Sequence, residues 1–129
     1  MSVQGSCLCG GVTFTVAMPL GAVTACHCTQ CRKISGHYSA AVPAPWDAVA
    51  VVGEVRWYDS SADARRGFCP VCGSYLFWRQ VDAPEVFISA GTLDDSTGLH
   101  LTGHIFTADK GDYYDIADGL PQYPMWDKV

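Results

Sequence analysis

Cys69-Pro70-Val71-Cys72-Gly73 forms a C-x-x-C knuckle in the second half of a 129-residue chain. The glycine of such a knuckle permits the tight turn that directs two thiolates toward one metal ion. Near the start of the chain, Cys7 and Cys9 form a C-x-C pair. Together the two pairs supply the four sulfur ligands of a tetrahedral structural zinc site. Because Cys9 and Cys69 are 60 positions apart, this site would tie the N-terminal segment to the middle of the fold.

Other uses of these cysteines remain open. The chain has seven cysteines, an odd number, and no secretion signal is visible at its start. Both features argue against a disulfide framework. Cys7 and Cys9 can also be two buried thiols. Cys69 and Cys72 can also be a redox dithiol, although no thioredoxin-like βαβ pattern surrounds them.

The segment Cys26-His27-Cys28-Thr29-Gln30-Cys31 places three more thiols within six residues. Three sulfurs on one short loop can hold one face of a zinc ion and leave its fourth position open, as in catalytic sites. Such a centre suits a soft fourth ligand, for example an incoming thiolate. His27 is a candidate fourth ligand, but its position between two ligating cysteines favours a supporting or surface role. A distant histidine would instead close the site and make it structural, and the candidates are His37, His100 and His104.

Composition and charge narrow the class of protein. The chain is 49% hydrophobic and 16% charged, which is typical of one globular domain over residues 1–129. The formal net charge is −5, and no basic run is longer than two residues, so a nucleic-acid partner is not expected. No apolar stretch approaches the roughly 18 residues of a membrane span. The absence of a signal-like N-terminus predicts a cytoplasmic protein.

The hydrophobic pattern predicts a mainly β fold of packed antiparallel sheets with short helical turns. Residues 11–16 alternate, with Val12, Phe14 and Val16 on one face. Short β-rich runs occupy residues 39–42, 49–52, 54–58, 75–79, 86–90 and 99–106. Pro43, Pro45 and Gly53 are expected to break them. A single short helix is predicted over residues 29–34, ending before Gly36.

The cysteine motifs stand in an order that resembles the glutathione-dependent formaldehyde-activating enzyme (Gfa) family. The resemblance covers nearly the whole chain, through residues 5–12, 26–33 with 35–36, 68–74, 90–94, 104–106 with Lys110, and 119–123. Phe106 stands where tryptophan is frequent in the family, and Tyr113-Tyr114 lie where a tryptophan often follows the lysine. These differences lie in a segment that can line the pocket, so they bear on the substrate rather than on the fold.

The resemblance implies a zinc-stabilised β-tent, in which two β-sheets lean together. It implies structural zinc at Cys7, Cys9, Cys69 and Cys72, and catalytic zinc at Cys26, Cys28 and Cys31. It also implies a carbon–sulfur lyase that condenses glutathione, or a related thiol, with formaldehyde to an S-hydroxymethyl adduct. The expected partners are a small-molecule thiol and an aldehyde, and a homo-oligomer is left open.

A thiol with carboxylates needs cationic anchors, and Arg32, Lys33 and Lys110 are the candidates. The alternatives are a solvated helix end for the first two and a turn charge for Lys110. Arg65 and Arg66 are expected at the surface or behind the ligands, and His104 is expected to be a packed polar residue rather than a base. Two other functions stay open: a zinc-stabilised binding module without catalysis, and a thiol-dependent lyase that acts on another aldehyde adduct.

Overall fold

A computed structural model describes residues 1–18, 20–95 and 97–126, and within them the chain forms ten strands and one α-helix. The strands are Ser2–Ser6 (β1), Thr13–Ala17 (β2), Val23–Cys26 (β3), Ser39–Pro45 (β4), Val49–Val52 (β5), Arg56–Asp59 (β6), Ala64–Phe68 (β7), Tyr75–Gln80 (β8), Glu85–Ser89 (β9) and Leu101–Ile105 (β10). The helix α1 is Thr29–Ser35, and 3₁₀ turns occupy Trp46–Ala48, Ala90–Thr92 and Thr107–Asp109. In the same ranges, no helix is long and apolar enough to cross a membrane.

The strands form two sheets. One has the order β1-β2-β5, and the other has the order β10-β3-β4-β9-β8-β7-β6. Neighbouring strands pair antiparallel throughout the described residues, except for β10, which runs parallel to β3. The predicted mainly β fold of antiparallel sheets with short helices is therefore confirmed, with one parallel edge strand added.

The core lies between the two sheets. On β2, Phe14 and Val16 point inward while Thr13 and Ala17 are exposed, which is the alternation expected of a half-buried strand. Phe14 packs edge-to-face on Phe77 of the larger sheet, with ring centroids 5.2 Å apart. Because one cluster of buried residues joins both sheets, the fold has a shared core, and a single domain over residues 1–129 stays a prediction.

Pro43 is predicted to break the strand that begins at Ser39, and this prediction was wrong, because β4 continues through Pro43 and ends at Pro45. Pro43 pairs with Phe87 of β9. On the other side, β3 pairs with β4 only between Ser39 and Ala41. At Pro43, β4 therefore has a neighbour on one side only, and proline is tolerated at such an edge because no ladder hydrogen bond is lost.

The helix agrees with its prediction and brings the second cysteine motif together. Cys28 is the N-cap, and its sulfur accepts a hydrogen bond from the Cys31 backbone N–H. The helix ends at Gly36, which has a φ of 82° and donates its N–H to the Arg32 carbonyl. Such a left-handed cap favours glycine because a Cβ would be strained there.

Candidate functional site

Four cysteines from two distant loops form the first cluster. Cys7 and Cys9 lie between β1 and β2, and Cys69 and Cys72 lie between β7 and β8. Their four sulfurs all lie within 4.8 Å of one another. The cluster joins the smaller sheet to the larger one, as the spacing of the motifs predicted.

Both loops turn in the same way. Gly10 has a φ of 80° and donates its N–H to the Cys7 carbonyl at 3.1 Å. Gly73 has a φ of 78° and donates to the Cys69 carbonyl at 2.9 Å. Each loop thus uses a left-handed glycine to place its two sulfurs on one side. The Leu8 backbone N–H donates to the Ser74 hydroxyl at 2.9 Å and fastens the loops to each other.

Backbone N–H groups donate hydrogen bonds to three sulfurs of this cluster, from Val12 to Cys7 at 3.2 Å, from Gly11 to Cys9 at 3.4 Å and from Cys72 to Cys69 at 3.5 Å. The Gly11 N–H lowers the pKa of the Cys9 thiol, but the neighbouring thiols, Cys7 first, raise it to about 11 in total. At the fourth sulfur, the Ser74 hydroxyl is the first cause that lowers the pKa of the Cys72 thiol, to about 5. Hydrogen bonds to the charged form favour deprotonation, which a metal ion requires of its thiolate ligands.

The sulfur spacing fits a tetrahedral metal ion. An ion with metal–sulfur distances of about 2.3 Å places its ligands about 3.8 Å apart. The distance is 3.6 Å from Cys7 Sγ to Cys9 Sγ and 3.7 Å from Cys9 Sγ to Cys69 Sγ. All seven cysteines of the chain are free of disulfides. The first cluster can therefore hold a metal ion.

Cys26, Cys28 and Cys31 form the second cluster, with sulfurs within 4.8 Å of one another. Cys26 is the last residue of β3, Cys28 caps α1, and Cys31 lies in the first turn of that helix. Hydrogen bonds from Cys26 and then from Cys31 lower the pKa of Cys28 to about 2, and the shared proton raises the pKa of Cys26. The thiolate form of Cys28 is thus stabilised, and deprotonation of Cys26 becomes less favourable. Three thiolates so close together need a cation, which is the chemistry of a metal site.

A cavity of about 430 Å³ opens beside the second cluster. All three cysteines of this cluster lie in its wall. The wall also includes aromatic and polar side chains from the larger sheet and from the segment after β10, namely Tyr75, Trp78, Phe87, Phe106, Trp126, Arg66 and Asp109. A metal ion held by the three sulfurs would therefore face a space large enough for a small molecule, whereas the first cluster does not border this cavity.

Arg66 is the buried cation of this cavity. It is 4% exposed, so it does not lie at the surface, which was one of its two expected places. Its guanidinium donates to the Tyr75 hydroxyl at 2.7 Å and to the Gln30 side-chain oxygen at 3.0 Å. It also lies 3.9 Å from Cys31 Sγ. A fixed positive charge at this place compensates part of the negative charge of the thiolate cluster.

The three cations predicted to anchor a substrate lie outside the cavity wall. Lys33 is exposed and Arg32 is half-buried on α1. The Lys110 ammonium donates hydrogen bonds to the carbonyls of Gly111 and Tyr114 and lies over the Tyr114 ring. Arg32 follows Cys31 in the chain and Lys110 follows Asp109, both residues of the cavity wall, and the role of the three cations as anchors stays a prediction.

His27 is fully buried and belongs to a hydrogen-bonded network rather than to the described metal-ligand groups. Its Nδ1 contacts the Tyr114 hydroxyl and its Nε2 lies 2.9 Å from His104 Nδ1. His104 Nε2 in turn lies 2.8 Å from the Asp118 carboxylate. Burial, and next the neighbouring His104, lower the pKa of His27 to about 4. The network connects the loop of the second cluster to the C-terminal segment. No local pattern in the sequence indicated Asp118, or the contact of Tyr114 with His27.

The chain is similar to known proteins over most of its length. Residues 2–109 match the family described as "Glutathione-dependent formaldehyde-activating enzyme". An uncharacterized lyase of Schizosaccharomyces pombe is 27% identical over 124 residues, which cover 95% of this chain and 90% of that protein. The crystal structure of a Rhodobacter sphaeroides protein, a structural-genomics target, superposes with a TM-score of 0.60 at 26% identity, over 72% of this chain and 89% of that one.

Proposed function

The chain belongs to the glutathione-dependent formaldehyde-activating enzyme family, and we propose that it is a zinc-dependent carbon–sulfur lyase. The reaction proposed is the condensation of glutathione, or a related thiol, with formaldehyde to an S-hydroxymethyl adduct. The single observation that carries the proposal is that Cys26, Cys28 and Cys31 converge in the wall of a cavity. A purely structural metal site would not need an open face toward a space of this size.

The two clusters have different roles in this proposal. Cys7, Cys9, Cys69 and Cys72 hold a structural zinc, because four sulfurs complete its coordination. The three cysteines of the second cluster hold the catalytic zinc. Zinc held there would supply positive charge that lowers the pKa of a thiol bound to it.

The protein's own residues then orient the reactants. The sulfur of the thiol forms a bond to the aldehyde carbon, the carbon–oxygen π pair moves to oxygen, and the oxygen takes up the proton that the thiol released. Arg66 lies beside Cys31 with its guanidinium buried. Its fixed charge favours the thiolate before the step and the negative charge that develops on oxygen during it.

Arg32, Lys33 and Lys110 are proposed to bind the carboxylates of the thiol outside the cavity. Arg32 directly follows Cys31 in the chain, and Lys110 directly follows Asp109, an exposed residue of the cavity wall. This adjacency to cavity residues in the chain is what supports their proposed role. In this arrangement the peptide part of the thiol stays in solvent, and only its sulfur reaches the cluster.

The variant Cys28→Ser tests the proposal. Serine is as good an N-cap as the native cysteine sulfur, so α1 and the fold are retained. We expect a melting temperature within about 5 °C of wild type, the loss of about one zinc per chain, and no enzyme-dependent formation of S-hydroxymethylglutathione by NMR exchange.

The control is Leu8→Ser, since Leu8 is 89% exposed and remote from the cavity; it is expected to keep both metals and activity. Unfolding of Cys28→Ser would mean that the second site is structural and would favour a binding module. A folded, zinc-depleted variant together with an inactive wild type would leave the metal assignment standing and refute the substrates.

A further inference from the structure

The geometry of the cavity points to a substrate class within the proposed function, on which this inference rests. We propose that the aldehyde taken by the second site carries an apolar group about the size of a phenyl ring. The apolar group lies against the aromatic wall, and the aldehyde oxygen faces Arg66 and Tyr75.

The cavity is much larger than a formaldehyde molecule. Formaldehyde has two heavy atoms, and a water molecule, which has one, occupies about 30 Å³ of liquid. The cavity measures about 430 Å³. Pockets of roughly 300–1,000 Å³ typically hold molecules much larger than formaldehyde and bury most of their surface, so a larger group than hydrogen on the aldehyde carbon fits this space.

The wall selects against a polar occupant. Two aromatic pairs line it: Trp78 with Phe87, ring centroids 5.4 Å apart, and Phe106 with Trp126, 4.9 Å apart. Among the described wall residues the charged side chains are Arg66 and the exposed Asp109. A peptide thiol inside the cavity would bring two carboxylates to a single, already bonded guanidinium. Burying an unpaired carboxylate is unfavourable in free energy, whereas transfer of an apolar ring from water into the cavity is favourable.

The polar end of the cavity is built to hold one oxygen. Arg66 donates a hydrogen bond to the Tyr75 hydroxyl oxygen at 2.7 Å, which leaves the phenolic proton free to be donated into the cavity. The Nε of Arg66 is buried and has no partner among the described residues. Because the same guanidinium lies 3.9 Å from Cys31 Sγ, an oxygen held here lies beside the thiolate cluster.

These contacts define the roles of the two residues in the addition. The sulfur pair of the thiolate forms the carbon–sulfur bond, and the carbonyl π pair moves to oxygen. The oxygen accepts the Tyr75 phenolic proton, and the proton lost earlier by the thiol returns to the phenolate through water. The product is a thiohemiacetal, no oxidant or reductant is consumed, and the reverse steps describe its cleavage.

Benzyl alcohol is an unreactive probe for this site, because it carries a phenyl ring and one oxygen at the position of the aldehyde oxygen. Its binding to the zinc-loaded protein is measured by quenching of tryptophan fluorescence, since Trp78 and Trp126 line the cavity. We expect saturable quenching, and about three- to tenfold weaker binding to Tyr75→Phe, as for the loss of one hydrogen bond. Toluene should bind both proteins equally. Tyr58→Phe is the matched control, because Tyr58 is 61% exposed and lies outside the cavity wall.

A second experiment, which measures turnover, distinguishes failure of this inference from failure of the proposed function. Benzaldehyde and formaldehyde are compared with glutathione by NMR exchange, and benzaldehyde is expected to have the higher kcat/KM. Adduct formation with formaldehyde alone, or benzyl alcohol binding that is absent or unchanged in Tyr75→Phe, would overturn the inference and leave the proposed function standing. If benzyl alcohol binds as expected but neither aldehyde reacts, the lyase function itself is wrong, and with it the inference.

Discussion

Replacing Cys9 with serine isolates the contribution of the metal in the first cluster. Cys9 is an exposed side chain, so the substitution removes almost no packing. Without a metal ion, an exposed cysteine-to-serine change is expected to alter the free energy of unfolding by no more than about 0.5 kcal/mol. A metal ion held by the four sulfurs changes this expectation, because Cys9 then belongs to a cross-link between the two sheets.

The size of the effect follows from the topology of the cross-link. Cys9 and Cys69 are 60 positions apart. A covalent cross-link over such a distance removes about 4 kcal/mol of chain entropy from the unfolded state at 25 °C, and we apply the same relation to a metal bridge. For a chain of this length each kcal/mol corresponds to about 3–5 °C in melting temperature. Loss of the bridge should therefore lower the melting temperature by about 12–20 °C.

The assay compares thermal unfolding by circular dichroism and metal content for wild type, Cys9→Ser and Leu8→Ser. Thermal unfolding is recorded in the presence of a chelator that does not remove metal from the intact four-cysteine cluster. The same chelator removes the metal from Cys9→Ser, in which only three sulfurs remain. Leu8 is 89% exposed in the same loop, so its variant should melt like wild type. Wild type stripped of metal should have the same melting temperature as Cys9→Ser. The cross-link argument is refuted if Cys9→Ser and stripped wild type both melt within about 2 °C of the metal-loaded protein.

Two further predictions concern the frame that carries the clusters. Phe77 is fully buried and packs on Phe14, Trp46 and Trp57, so Phe77→Ala should destabilise the fold by about 3–5 kcal/mol in urea unfolding; a loss below about 1 kcal/mol would contradict this packing. Gly53 has a φ of 103°, and a Cβ there would lie 2.1 Å from the Gly11 carbonyl oxygen. Gly53→Ala should therefore cost about 1–3 kcal/mol, while Gly91→Ala, where a Cβ meets open space, should be close to neutral and serves as the control.

Much of the fold could be predicted locally. The alternation at Phe14 and Val16 identified β2, and Gly36 marked the end of α1. Three strands were missed, because β1 has one apolar residue, β3 is only four residues long, and β7 contains two arginines and a glycine. These strands are stabilised by pairing with distant neighbours, and the free energy of that pairing is not encoded in a period-two pattern.

The cysteine spacing was enough to predict the two groups of cysteines that could hold a metal ion, because C-x-C and C-x-x-C turns bring sulfurs together through local geometry alone. That the first two pairs meet across 60 positions followed from counting ligands, since two sulfurs do not complete a tetrahedral site. The sequence thus determined the composition of the clusters and the family resemblance.

Only the tertiary structure decided what surrounds them. Arg66 looked like a surface or supporting residue, yet pairing of β7 with β8 buries its guanidinium beside Cys31 and Tyr75. His27 was expected to have a supporting or surface role, with metal ligation as the alternative, and only the folded structure shows that it is buried in a network with His104 and Asp118. The physical reason is the same in each case. Burial, hydrogen bonding and charge compensation depend on side chains that are far apart in the chain, and only the folded sheets bring them within contact distance.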